Sequence, residues 1–72
     1  MKKNFHIGTI IKEEVRRQNL SVAYLAEEIH CERANVYNIF KRANIDIQLL
    51  AQISKILKRN FVKECAEAVE MD

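Results

Sequence analysis

The sequence predicts an all-α fold, a compact bundle of five short helices in a single domain spanning residues 1–72. Apolar residues recur at spacings of three and four along the whole chain, which is the period of an α-helix, and no segment alternates as a strand does. The chain has one glycine and no proline, and 49% of its residues are hydrophobic. This composition can supply a small core and excludes the disordered and collagen-like classes.

The first two helices are defined by their apolar stripes and by the residues between them. We predict the first over residues 7–18, where one face carries Ile7, Ile10, Ile11 and Val15. Asn19 favours a helix end there because asparagine tolerates a left-handed backbone. Ser21 can accept hydrogen bonds from the free amides of a second helix, predicted over 22–29. That helix would bury Leu25, Ala26 and Ile29.

Three more helices follow a break at His30-Cys31. The third is predicted over 32–42, and its buried residues would be Val36, Ile39 and Phe40. Asp46 is a suitable N-cap for a fourth helix over 47–58. The buried stripe of the fourth helix would consist of Leu49, Leu50, Ile53, Ile56 and Leu57. A last helix is predicted over 62–70, with Val62, Cys65, Ala66 and Val69 on one side.

Charge is distributed unevenly along the chain, although the formal net charge is only +2. Residues 1–20 carry five basic and two acidic side chains, and residues 31–63 carry seven basic and two acidic ones. Residues 21–30 and 64–72 contain only acidic charges. A basic stretch beside an acidic tail indicates a polyanion-binding face. From charge alone, an ordinary surface of mixed charge is the simpler interpretation.

Several function classes have little support in the sequence. Cys31 and Cys65 are too few for a disulfide framework, so we expect reduced thiols and a cytoplasmic protein. With His6 and His30 they lack the spacing of a zinc site, and Cys31 is better explained as a small buried hydrophobe. We therefore expect neither a metal nor a cofactor. No apolar run reaches the roughly 18 residues of a membrane span, and a signal peptide is not expected.

An enzyme is not expected either, because no glycine-rich phosphate loop or nucleophile set is present. The adjacent pairs Glu13-Glu14 and Glu27-Glu28 are interpreted as solvated faces. Neighbouring residues on a helix point about 100° apart, which is unsuited to an acid/base dyad.

The second and third predicted helices carry the functional signal. Only two or three residues separate them, which permits the steep crossing of a helix-turn-helix, and Ala26 is small enough for close contact. Once Val36 and Ile39 pack against the core, the other faces of the third helix carry donor-rich and aromatic side chains. These are Arg33, Ala34, Asn35, Tyr37, Asn38, Lys41 and Arg42.

From Ile7 to about Phe61 the chain resembles the XRE-type, lambda-repressor and Cro-like helix-turn-helix domains. The resemblance covers about three quarters of the chain and lies in the order and spacing of many positions. These positions are Ile7-Gly8, Leu20-Ser21, Leu25-Ala26, Ile29, Asn35-Val36-Tyr37, Ile39, Ile45-Asp46, Leu49-Leu50 and Ile53.

Three positions depart from the family pattern. Val22 stands where the family often has a glutamine that touches a DNA phosphate, and the valine side chain has no donor for this contact. His30 stands where a turn glycine is common, although histidine is among the residues enriched at positive φ. Phe40-Lys41-Arg42 replaces an acidic residue followed by Arg-Gly, and Phe40 is expected to join the core.

The resemblance implies a sequence-specific DNA-binding transcriptional regulator that places its third helix in the major groove. Arg33 and Ala34 would face base edges, since arginine reads guanine and alanine can contact a thymine methyl. Asn38 would read adenine or hold a phosphate. The backbone-holding residues would be Asn35, Tyr37, Lys41 and Arg42. We expect double-stranded DNA as the partner and a homodimer, with the dimer contact in residues 61–69.

Other interpretations stay open at the level of sequence. Arg33 could simply pair with Glu32 or with solvent, and Tyr37 could be an aromatic residue at the core edge. The same fold could serve as a protein-interaction module, in which Val22, Tyr24 and the acidic tail would matter more than Arg33. The chain could also be the DNA-binding antitoxin of a toxin–antitoxin pair.

Overall fold

The computed structural model describes residues 6–69, and within this range the chain forms five α-helices and no strand. The helices are α1 (Ile7–Arg17), α2 (Val22–Glu28), α3 (Arg33–Lys41), α4 (Ile47–Leu57) and α5 (Phe61–Val69). The predicted all-α class is confirmed, and the observed ends lie within one residue of those predicted. The predicted end of the last helix at residue 70 lies outside the described residues. None of these five helices combines the length and the apolar composition needed to cross a bilayer.

Side-chain caps fix where the helices begin. The predicted caps are confirmed, since Ser21 Oγ accepts a hydrogen bond from the Tyr24 amide at 3.0 Å and Asp46 Oδ2 accepts one from the Leu49 amide at 3.3 Å. Asn60 is a further cap, which was not predicted, and its Oδ1 accepts a hydrogen bond from the Lys63 amide at 3.0 Å. Each cap satisfies an amide that lacks a partner in the first turn.

Left-handed residues end three of the helices. Asn19, His30 and Lys58 have φ values of 58°, 59° and 56°. The prediction for Asn19 is confirmed, and His30 adopts the conformation that a turn glycine would supply. After each of these residues, the next backbone amide donates to a carbonyl of the last helical turn, which closes the helix.

The core lies where α3 packs on α1 and α2, and α4 packs on α5. Its buried apolar residues come from all five helices. They are Ile7, Ile11, Val15, Leu25, Ala26, Ile29, Val36, Ile39, Phe40, Leu50, Ile53, Leu57 and Phe61. Phe40 joins the core as predicted. Three residues expected in buried stripes are only half-buried at its edge, namely Ile10, Leu49 and Ile56.

Gly8 brings the start of α1 against the end of α3. Its backbone amide donates to the Arg42 carbonyl at 3.0 Å, and the Ile7 amide donates to the Ala43 carbonyl at 3.3 Å. An alanine Cβ at position 8 would lie 2.5 Å from the Phe40 carbonyl oxygen, and it would also meet the Ile39 carbonyl oxygen. Only glycine fits this contact, because backbone atoms cannot swing aside as a flexible side chain can.

The interpretation of Glu14 as a solvated residue is wrong, because its side chain is only 2% exposed. It accepts hydrogen bonds from Arg17 Nη2 at 2.5 Å and from Arg59 Nη1 at 2.7 Å. Gln18 Nε2 donates both to Glu14 Oε2 at 2.6 Å and to the Leu57 carbonyl at 2.8 Å. Glu14 therefore links α1 to the loop between α4 and α5.

This set of donors lowers the pKa of Glu14 from 4.5 to about 2, with the Arg17 hydrogen bond as the largest cause. The pH dependence follows from the sign of this shift. The unfolded chain takes up a proton near pH 4.5, whereas the folded chain keeps the carboxylate down to about pH 2. The stabilisation is therefore complete above pH 4.5 and is lost as the pH falls toward 2.

We expect Glu14→Gln to lower the free energy of unfolding at pH 7 by about 2 kcal/mol, because it leaves Arg59 without one of its two carboxylate partners. Urea denaturation across the acid range should also show a weaker pH dependence below pH 4.5. The control is Glu13→Gln, which changes an exposed neighbour on the same helix. Equal stability of the two variants would contradict the role assigned to Glu14.

Gly8→Ala provides a second test of the packing. At an ordinary helix position this change stabilises a protein by up to about 1 kcal/mol. Here we expect a loss of about 2 kcal/mol, because the methyl group would push backbone carbonyls of α3 away from α1. Thermal or urea unfolding shows directly whether the substitution raises or lowers the free energy of unfolding. A stabilised variant would show that the two helix ends are not in fixed contact.

Candidate nucleic-acid interface

Three side chains of α3 pack into the core, and the other faces of the helix are exposed. Val36, Ile39 and Phe40 are buried at spacings of three and four, so they occupy one face of the helix. The structure places all seven predicted site residues on the surface. They are Arg33, Ala34, Asn35, Tyr37, Asn38, Lys41 and Arg42. Their exposure confirms the predicted orientation of the helix and leaves their DNA contacts as predictions.

The helical period orders these residues across the exposed surface. Ala34, Asn38 and Lys41 lie opposite the buried face, at spacings of four and three residues. These three form the centre of the exposed surface, which we call the α3 ridge. The ridge presents one methyl group, one amide and one cation.

The remaining residues flank the ridge on two sides. Asn35 and Arg42 line a shallow cleft of about 280 Å³ together with Asn38, and Leu49 of α4 borders it. Tyr37 lies on the other side, 52% exposed, with its ring edge-to-face on Phe40 at a centroid distance of 6.2 Å. Tyr37 therefore packs at the edge of the core, and it is also exposed enough to contact an external ligand.

Arg33 lies at the start of α3 and is not on the ridge. It lines a recess with Glu27 and Glu32 beside the turn between α2 and α3. Among residues 6–69 the ion pairs are those of Glu14 and Glu64 with arginines, so Arg33 does not pair with Glu32 and faces solvent. The Arg33 guanidinium is thus exposed and available to an external acceptor.

The structure adds two cations that the sequence analysis did not assign to this surface. Lys12 and Arg16 are exposed on α1, and they border a groove that also contains Tyr37 and Lys41 of α3. Their four-residue spacing placed them on one helix face in the sequence. Only the packing of α1 against α3 brings that face beside the ridge.

The thiols offer no reactive group here. Cys31 is half-buried against the core, where its Sγ donates to the Glu32 carbonyl at 3.5 Å. Burial, and then the charge of Glu32, raise the pKa of the Cys31 thiol, and burial raises the pKa of Cys65 in the same way. Both thiols therefore stay protonated at neutral pH. Residues 6–69 hold no cluster of three or more histidine, cysteine or carboxylate side chains suited to a metal ion.

The chain matches no protein-family model, no curated protein and no solved structure. Two features of the chain's own residues point to a function: the exposed surface of α3 and the cations of α1 beside it.

Proposed function

We propose that this protein is a sequence-specific DNA-binding transcriptional regulator in which α2 and α3 form a lambda-repressor-like helix-turn-helix. The observation that carries the proposal is the outward face of α3. Three core residues fix the helix, while its exposed side chains are amides, cations, a phenol and a methyl group. Glu32, just before the helix, is the one acidic side chain at this surface from residue 32 to 42. Such a surface complements base edges and phosphates.

The dimensions of a helix suit this role. An α-helix with its side chains is about 10–12 Å across, and the major groove of B-DNA is about 12 Å wide. With the α3 ridge directed into the groove, Ala34 and Asn38 would meet base edges, and Arg33 would reach a guanine from the start of the helix. The residues proposed to hold the sugar–phosphate backbone are Asn35, Tyr37, Lys41 and Arg42.

A homodimer is part of the proposal because one short helix reads only a few base pairs. Two copies would bind half-sites about one helical turn apart on a two-fold target. We assign the contact between the copies to α5, where Val62 and Cys65 are half-buried and Ala66 is exposed. The proposed location of this regulator is the cytoplasm.

Salt dependence tests the proposal. We expect the affinity for duplex DNA to fall at least about tenfold as the salt concentration rises from about 50 to 200 mM, because each phosphate contact releases condensed counterions. Fluorescence anisotropy with a labelled random-sequence duplex measures this slope. Absent or salt-independent binding would rule out DNA as the partner and favour a protein-interaction module.

Two substitutions separate base reading from backbone contact. Arg33→Ala should reduce the free energy of DNA binding by about 1–3 kcal/mol and relax the preference at one base position. Lys41→Ala should weaken binding to all DNA sequences alike and lower the salt dependence of log K by about one unit. The preferred DNA sequence of each variant is determined by selecting bound oligonucleotides from a random pool. Lys55→Ala, an exposed change on α4, is the matched control.

These substitutions are at exposed positions, so each variant should keep its free energy of unfolding within about 0.5 kcal/mol of the parent. A loss of binding would then reflect the contact and not the fold. If Arg33→Ala leaves the selected sequence unchanged, Arg33 does not read a base.

A further inference from the structure

A groove with a mixed lining lies between α1 and α3, beside the α3 ridge. Its volume is about 300 Å³. Leu20, Val22 and Phe40 line its apolar floor. The cations Lys12, Arg16 and Lys41 line it as well, and they form its rim. We call this feature the α1–α3 groove.

The three rim cations are not neutralised within the described part of the chain. The ion pairs of residues 6–69 use Arg17 and Arg59, and none involves a rim cation. Three positive charges therefore surround an apolar floor that is open to water. A complementary ligand must carry both negative charge and an apolar group.

We propose that the α1–α3 groove binds an acidic segment of a partner protein that inserts one apolar side chain between the rim cations. The volume lies at the lower end of the roughly 300–1,000 Å³ typical of ligand pockets, which suits a side chain and its flanking backbone. Carboxylates on either side of the inserted side chain would meet Lys12, Arg16 and Lys41.

The floor distinguishes this partner from DNA. A phosphodiester strand would neutralise the rim cations, but it offers only phosphates and sugars to Leu20 and Val22. An apolar side chain would cover both residues and gain the corresponding hydrophobic free energy. Tyr37, which also lines the groove, is 52% exposed, so its ring has apolar surface left to cover.

Occupation of the groove excludes DNA, because Tyr37 and Lys41 belong both to the groove and to the proposed backbone contacts. This step depends on the proposed function, whereas binding of the peptide does not. An acidic partner would therefore release the regulator from its target. Its binding would compete with DNA without any change in the fold.

The test begins with a displayed library of random peptides selected on the 72-residue chain. We expect enrichment of sequences in which acidic residues flank a leucine, isoleucine, methionine or phenylalanine. A synthetic labelled copy of the most enriched peptide then serves as the probe in anisotropy titrations. Selection of peptides without acidic residues, or no enrichment at all, would overturn the proposal.

Substitutions locate the binding site of that peptide. Arg16→Glu should weaken binding roughly tenfold, since it replaces an attraction with a repulsion, and Val22→Ser should weaken it by a similar factor through loss of the apolar floor. Lys55→Glu, the same charge change on α4, should bind like the parent chain. Equal binding by all variants would place the peptide elsewhere and overturn the proposal.

Duplex DNA provides the distinguishing measurement. Val22→Ser should reduce peptide binding and leave DNA binding unchanged, because the substitution removes no charge. Peptide binding without any DNA binding would refute the proposed function and keep the docking site. A third outcome would refute the docking site: no peptide is selected, and Arg16→Glu weakens DNA binding far more than Lys55→Glu does. The groove would then be a contact site for the DNA backbone.

Discussion

The position of α3 depends on close backbone contact between its C-terminal end and the start of α1. Gly8 allows this contact because it has no Cβ, which at this position would lie 2.5 Å from the Phe40 carbonyl oxygen. The Gly8 amide then donates to the Arg42 carbonyl at 3.0 Å. Beneath the helix, Val36 and Ile39 supply the apolar contact with the core. The two interactions together fix the position of α3 relative to α1 and its rotation about its own axis. The exposed set of side chains follows from that rotation, because a helix that buries one face must present the opposite one.

Basic residues in this small domain serve two separate purposes. Arg17 and Arg59 are used internally, where they hold the buried Glu14 carboxylate and connect α1 to the loop before α5. Arg59 also donates two hydrogen bonds to Glu64, at 2.6 and 2.8 Å, and lies over the Phe61 ring. Lys12, Arg16 and Lys41 have no such partners among residues 6–69. Net charge alone does not reveal this division, which leaves Lys12, Arg16 and Lys41 without a carboxylate partner beside the α3 ridge.

The two proposals share two residues of α3 and differ in the chemistry that surrounds them. DNA would use the α3 ridge and its flanks, where amides and cations face outward. A protein partner would use the apolar floor of the α1–α3 groove. Tyr37 and Lys41 lie at the boundary, so a ligand on either surface would cover them. A regulator built in this way would need no separate effector domain, because competition at a shared boundary is enough to control DNA binding.

The sequence alone determined the helices, their order and most of their ends, because apolar periodicity and capping residues act over a few neighbouring positions. It also determined which face of α3 is exposed, since Val36, Ile39 and Phe40 could occupy only one side. It failed at Glu14, whose burial depends on Arg59, a residue 45 positions away. It likewise missed Lys12 and Arg16 beside Lys41. Only the tertiary structure decided these features, because packing, and not local pattern, determines which distant charges meet.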